Sequence, residues 1–393
     1  FFAGAMLLGV APAGVVFGGF TSAAMWLIFG GLVMGVAIQG TGLGRRMAFR
    51  LGHLFGESYA GIVTGVALVG LATGFLMPSS IGRAMLLMPV ALGLAARAGF
   101  RPGSNGHLGV VMAGAFGCHV PTFAILPANV PNLVLSGAAE TLWQHPVAYA
   151  PYLLLHFPLL GLVKMAMMVG LILWLWPDRP RPQGEPEAAP GPMSRQERGL
   201  SLLLALALAL WATDLWHHVN PAWVSLGAAA VLLLPRVGLV DRKAFVEKVN
   251  YAPMIHVAGI MGLGAVVDQT GLGARIAGGL LTLLPLSPDS PATSFASLAL
   301  LSTLIGLVTT LPGVPAVLTP LAGQMAEASG LSLDAVLMTQ VLGFSNPVLP
   351  YQSAPLVVAM ALGGERVGPA VRLCLWLAAL TLLFDSGKGG AAV

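Results

Sequence analysis

The chain has 393 residues, of which 56% are hydrophobic and 9% charged, whereas an average soluble domain carries roughly 25% charged residues. Such a composition excludes a water-soluble globule, and a formal charge of +4 dispersed over the chain excludes a nucleic-acid-binding patch. Cys118 and Cys374 are the only cysteines, so neither a disulfide framework nor a cysteine metal cluster is available.

Apolar stretches such as 23–38, 199–211 and 222–234 recur along the chain. A helical span needs about 20 mainly apolar residues, and the stretches add up to roughly ten to twelve membrane segments, some too short or broken to cross alone. The chain opens at Phe1 straight into an apolar segment, which predicts that one or two helices precede it. The segment Gly-Val-Ala-Ile-Gln-Gly-Thr-Gly-Leu-Gly-Arg-Arg at 35–46 is followed by MPSSIGRAMLLMP at 77–89 and LPANVPNLV at 126–134. An apolar span at 151–176, a proline-rich charged linker at 177–198 and a further span at 199–216 come next. The first three landmarks then return in order, as Gly-Ala-Val-Val-Asp-Gln-Thr-Gly-Leu-Gly-Ala-Arg at 264–275, VTTLPGVPAVLTP at 308–320 and LPYQSAPLV at 349–357. Gene duplication explains three landmarks in one order. The organisation expected is repeat one at 1–145, connecting helices at 146–221 and repeat two at 222–393.

Lysine and arginine give the orientation, because short cytoplasmic loops carry their excess. With Arg45, Arg46 and Arg50 inside, a re-entrant hairpin returns Arg97 and Arg101 to the same side, and Arg179, Arg181, Arg195 and Arg198 of the linker follow. Arg236, Arg242, Lys243, Lys248 and Arg366 also fall inside. Of 19 basic residues only Arg275 and Lys388 are left outside, which makes the two halves inverted repeats.

Interrupted helices leave backbone groups unpaired, which is tolerated at depth only beside protein or water. The helix N-termini then face an anion, while freed carbonyls suit Na+. The first tip is Pro78, Ser79, Ser80, Ile81, Gly82 and Arg83; the first break runs from 117 to 132 and holds Asn129 and Asn132. The second tip is Thr309, Thr310, Leu311, Pro312 and Gly313; the second break contains Ser345, Asn346, Pro347, Gln352 and Ser353. Substrate ligands expected from these islands are Ser79, Ser80, Arg83, Asn129, Asn132, Thr310, Gly313, Gln352 and Ser353. Helix capping is the alternative role for the hydroxyls and amides. A sodium site would draw on Ser79, Gly82, Thr310, Gly313 and Asn346.

An arginine deep in a membrane is costly and is kept for function or a partner. Arg83 either clamps an anion with two parallel hydrogen bonds or pairs with backbone carbonyls. Lys164, mid-span in the connecting region, reads as a scaffold residue or a lipid contact. His119 in the first break either bonds substrate or is a satisfied structural histidine. Asp268 matches Gln39 ahead of Thr-Gly-Leu and is either part of a coupling path or exposed. Asp214, His217 and His218 fall near a membrane boundary.

These motifs resemble the divalent anion/sodium symporter family, the dicarboxylate, citrate and sulfate carriers of the ion transporter superfamily. The likeness rests on the segment ending in Thr-Gly-Leu, the re-entrant hairpin before an apolar run ending in proline, and the proline-rich break. It implies an all-α polytopic membrane protein with a scaffold and an elevator-type transport domain, working as a homodimer in the cell inner (plasma) membrane. It further implies symport of a small divalent anion with Na+. The family's Ser-Asn-Thr tip motif is Ser79, Ser80, Ile81 in the first half and Thr310, Leu311, Pro312 in the second, while Pro131 and Asn132 match its Pro-Asn element. An ion antiporter or metalloid-anion exporter of the same superfamily is the alternative. An intramembrane enzyme would need a nucleophile with its base, paired carboxylates or a zinc motif, and none is evident.

Overall fold

The computed structural model describes residues 1–54, 58–77, 79–181, 191–235, 238–272 and 284–388. Pro78, Arg236 and Arg275 lie outside the described residues, as do the side chains of Arg50, Asp268 and Lys388. The described residues are helical, without a β-strand. Among the described residues five helices are long and apolar enough to cross a membrane, and five shorter apolar helices of 10–17 residues accompany them. The expected mixture of complete and interrupted spans is present.

After two short helices at Phe2–Leu7 and Ala13–Val16, the first half contains α1 (Ala23–Thr41), α2 (Leu43–Leu54), α3 (Tyr59–Gly74), α4 (Ser80–Arg97), α5 (Asn105–Gly117) and α6 (Val130–Trp143). The connecting span α7 (Tyr149–Leu175) passes through a π-helical stretch at Phe157–Val163 and leads to α8 (Arg195–Ala212). The second half contains α9 (Pro221–Leu233), α10 (Ala252–Gln269), α11 (Pro291–Val308), α12 (Gly313–Leu318), α13 (Leu333–Phe344), α14 (Ala354–Leu362) and α15 (Val367–Lys388). Serine hydroxyls start several of them: Ser22, Ser58, Ser79, Ser104, Ser194 and Ser332 each accept a first-turn amide and satisfy one orphan donor.

The repeated Thr-Gly-Leu-Gly segment is a helix stop. Gly42 (φ 81°) and Gly271 (φ 68°) both adopt the left-handed conformation that a side chain would strain. The preceding threonines bond back to their own helices, Thr41 Oγ1 donating to Ala37 O (2.9 Å) and Thr270 Oγ1 to Val266 O (2.7 Å). Small residues then bring the hairpin helices against the broken ones. A Cβ on Gly117 of α5 would lie 2.7 Å from Ala67 Cα of α3, and one on Gly343 of α13 would lie 2.3 Å from Ser302 Cβ of α11. Equivalent helices in the two halves are therefore packed backbone to backbone by a glycine at the end of the broken helix.

Several residues at or beside basic positions meet partners from distant segments. Arg46 forms a bidentate pair with Glu197 (2.8 and 3.1 Å) and donates to Gly191 O (2.6 Å), joining the start of α2 to the linker. Arg181 N donates to Ala98 O (2.8 Å), beside Arg97, and His107 Nδ1 meets Glu365 Oε1 (2.7 Å), beside Arg366. Asp214 is buried, and it caps α7 by accepting from Tyr149 N (2.6 Å) and Ala150 N (3.4 Å).

Candidate functional site

Proline placement explains the first break. After α5 the chain makes two short 3-10 turns, Pro121–Ala124 and Leu126–Ala128, before α6 starts at Val130. Pro121, Pro127 and Pro131 donate no backbone hydrogen bond, so a continuous helix cannot form through this stretch. Asn132 ties the turns together, its Nδ2 donating to Phe123 O (3.0 Å) and Ile125 O (2.9 Å). In the second half Pro347 and Pro350 interrupt the chain between α13 and α14, and Pro355 sits in the first turn of α14. Gln352 organises that break, its Oε1 accepting from Val348 N (2.8 Å) and Leu349 N (2.7 Å) while its carbonyl accepts from Leu311 N of the second tip (3.1 Å).

Both tips and both breaks border one cavity of about 760 Å³. Ser79, Ser80 and Ile81 of the first tip line it, as do Thr310, Leu311 and Pro312 of the second. Asn129, Val130 and Pro131 open α6 there, and Gln352, Ser353, Ala354 and Pro355 lead into α14. The N-terminal ends of α4, α6 and α14 thus border one space, and among the described residues that line it there is no Asp, Glu, Lys or Arg. A helix N-terminus carries roughly half a positive charge. Three of them around an apolar cavity favour an anion without any cationic side chain in contact with it.

A histidine bridges the halves. The Ser80 hydroxyl has one proton, which goes to Asn129 Oδ1 (2.5 Å), and its oxygen accepts from Arg83 Nη2 (2.9 Å). His119 Nδ1, 3.2 Å from the same oxygen, therefore acts as the donor. The opposite ring nitrogen is then an acceptor, and the Ser353 hydroxyl donates to Nε2 at 2.6 Å. This neutral tautomer links the first tip to the second break through a single ring.

Arg83 stands behind the cavity. Its Nε donates to Cys118 O (2.9 Å), and Nη1 donates to Met77 O and to Ala128 O (2.9 Å). Nη2 donates to Ser80 Oγ and Thr122 Oγ1, both 2.9 Å, with Asn129 Oδ1 at 3.3 Å. A guanidinium has five N–H donors, and these six acceptors use them all. The side chain is fully buried.

Of the ligands expected from sequence, Ser79, Ser80, Asn129, Thr310, Gln352 and Ser353 line the cavity. Arg83, Asn132 and Gly313 do not. Asn132 braces the first break, and Gly313 N closes the second tip by donating to Thr310 O (2.8 Å). Ser79 also serves as a cap, accepting from Gly82 N (3.1 Å). The residues considered for sodium divide: Ser79, Gly82, Thr310 and Gly313 sit at the tips, whereas Asn346 Oδ1 accepts from the buried Lys164 Nζ (3.3 Å). His119 joins the cavity set, and its signal in sequence is positional. Cys118 and His119 follow α5 as Ser345 and Asn346 follow α13.

Residues 1–343 match the CitMHS profile, described as Citrate transporter. A curated relative from Cupriavidus necator, described as a membrane protein, is 25% identical over 269 residues, covering 66% of this chain and 52% of the relative. The chain thus spans about half the length of that relative. Among solved structures, the YdaH transporter of Alcanivorax borkumensis, reported to have an unusual topology, matches with a TM-score of 0.60 and 20% identity over 95% of this chain and 86% of that one. The fold is shared with that transporter, and the protein is a multi-pass membrane protein. The family match spans most of the sequence, including both tips and α13, and on that ground the chain belongs to the citrate transporter family.

Proposed function

We propose that the protein is a secondary transporter that binds a small carboxylate-bearing anion, of the citrate or dicarboxylate type, in the cavity between the two tips and the two breaks. The observation that carries this is the convergence of three helix N-termini on a cavity that, among the described residues, no acidic side chain lines. The hydroxyls of Ser79 and Thr310, the Gln352 amide and the Ser80–His119–Ser353 chain supply directional contacts around it. Symport with Na+, elevator motion, a homodimeric assembly in the cell inner membrane and a divalent substrate complete the proposal, on the resemblance to divalent anion/sodium symporters. A sodium ion in this scheme sits at the tips, near Ser79, Gly82, Thr310 and Gly313.

The test is uptake of labelled citrate, succinate and sulfate into proteoliposomes, with Na+ replaced by choline at fixed pH. Accumulation of one carboxylate that disappears in choline supports the whole scheme. Accumulation unchanged in choline keeps the anion transporter and removes sodium symport. Protein-dependent flux of none of the three would refute the anion reading.

A further inference from the structure

A helix that stops inside the protein has two consequences. Its successor presents a positive end to the cavity, and its own last carbonyls present a negative end close by. The negative end of α5 at Cys118 is met by Arg83 Nε. Repeat two lacks that arginine: the matching position is Val314, apolar and fully buried.

The corresponding carbonyl is nevertheless covered by a cation. Lys164 Nζ donates at 2.8 Å to the carbonyl of Ser345, the C-terminal cap of α13, and at 3.3 Å to Asn346 Oδ1. Lys164 is only 2% exposed. It comes from α7, which belongs to neither repeat, and it follows directly on the π-helical stretch Phe157–Val163. Pro158 near the start of that stretch removes a helical donor, and the wider turn resets the direction in which the next residues point. The two breaks thus receive their cations from different elements, although the backbone geometry they neutralise is repeated.

We propose that the Lys164 ammonium is the resident cation of the second break. It occupies the position between the Ser345 carbonyl and the Asn346 side chain that a coupling ion would otherwise take. Resting on the reading of the cavity as an anion site, it also keeps the negative end of α13 from offsetting the helix N-termini around that site. Asn346 is then a lysine ligand, and a coupling ion, where one is used, binds elsewhere.

The experiment is thermal unfolding of the purified protein in detergent, in NaCl against choline chloride at equal ionic strength. Wild type, Lys164→Ala, Asn346→Ala and the double variant are compared. Lys164→Ala is expected to unfold at a lower temperature in choline and to recover saturably with Na+, which can enter beside the two vacated oxygens; the double variant loses that recovery. A Lys164→Ala protein as stable as wild type and indifferent to Na+ overturns the proposal. So does a Na+ response of wild type that Asn346→Ala abolishes. Where Lys164→Ala does not fold in either salt, Lys164→Arg and Lys164→Met decide. The arginine variant retains the greater stability if the cation matters, and equal stability overturns the assignment. No substrate enters this measurement, so failure of the anion reading in the uptake assay leaves its outcome unaffected.

Discussion

Replacing Arg83 separates a residue that shapes the site from one that touches substrate. In Arg83→Met the carbonyls of Cys118, Met77 and Ala128 and the side chains of Ser80, Thr122 and Asn129 lose their donor inside a fully buried pocket. Each buried polar group left without a partner costs about 1–3 kcal/mol. Some of that is recovered because the Ser80, Thr122 and Asn129 groups still bond to one another, so the three carbonyls dominate, at about 3–9 kcal/mol together. Arg83→Lys keeps the charge and up to three donors but loses the planar fork, and should fall between the two. The assay pairs thermal unfolding in detergent with anion affinity for wild type, Lys and Met variants. Stability is expected to fall in the order wild type, Lys, Met, with affinity lost in proportion as the first tip loosens. A Met variant with wild-type stability and affinity reduced a hundredfold would refute this reasoning and make Arg83 a direct clamp on the substrate.

The His119 bridge predicts coupling between two distant residues: His119→Leu and Ser353→Ala should each weaken the apparent KM about tenfold, as for one hydrogen bond of about 1.4 kcal/mol. The double variant should be little worse than either single one, and additive losses would show that the contact carries no energy. Gly343→Ala places a methyl group 2.3 Å from Ser302 Cβ and should destabilise by about 1–3 kcal/mol, whereas Gly170→Ala, whose Cβ meets open space, should not; equal unfolding temperatures would break the packing argument. Glu197 precedes the apolar part of α8, and its hydrogen bonds with Arg46 hold its carboxyl down at about 2. A lowered carboxyl contributes stability above its unfolded value of roughly 4.3 and loses it as pH falls toward 2. Wild type should therefore lose its advantage over Glu197→Gln between about pH 4 and pH 2, and a difference that stays constant over that window would rule the pair out as its source.

The parts of this architecture that were legible in sequence are those set by the backbone. Thr-Gly-Leu-Gly was legible as a landmark that occurs twice, and it is a helix stop both times because glycine adopts φ near 81° or 68° without strain. Proline spacing announced both breaks, and serine ahead of an apolar run announced the start of α4. Side-chain roles were less legible, because they depend on which acceptors converge in space. Arg83 looked the same in sequence whether its fork meets an anion or a set of carbonyls. It was the position of Cys118, 35 residues away, and of Ala128, 45 residues away, that gave it its partners. Lys164 looked like a scaffold or lipid contact because its partners, Ser345 and Asn346, lie 181 and 182 residues further along the chain.

The connecting span follows from the same contacts. Tyr152 OH donates to Phe123 O (2.9 Å) in the first break, His156 Nε2 meets Met338 Sδ of α13 (3.2 Å), and Lys164 Nζ holds the second break. Within one helix, three successive polar side chains reach both interrupted segments, and each is buried. Breaking any of them leaves a polar group in an environment without water to replace its partner. A motion that carried the cavity across the membrane while leaving α7 behind would have to break all three at once. Under the proposed elevator motion α7 would move with the substrate-bearing body, and the division between moving and static parts would fall between it and helices farther from the breaks, not at the boundary between the sequence repeats.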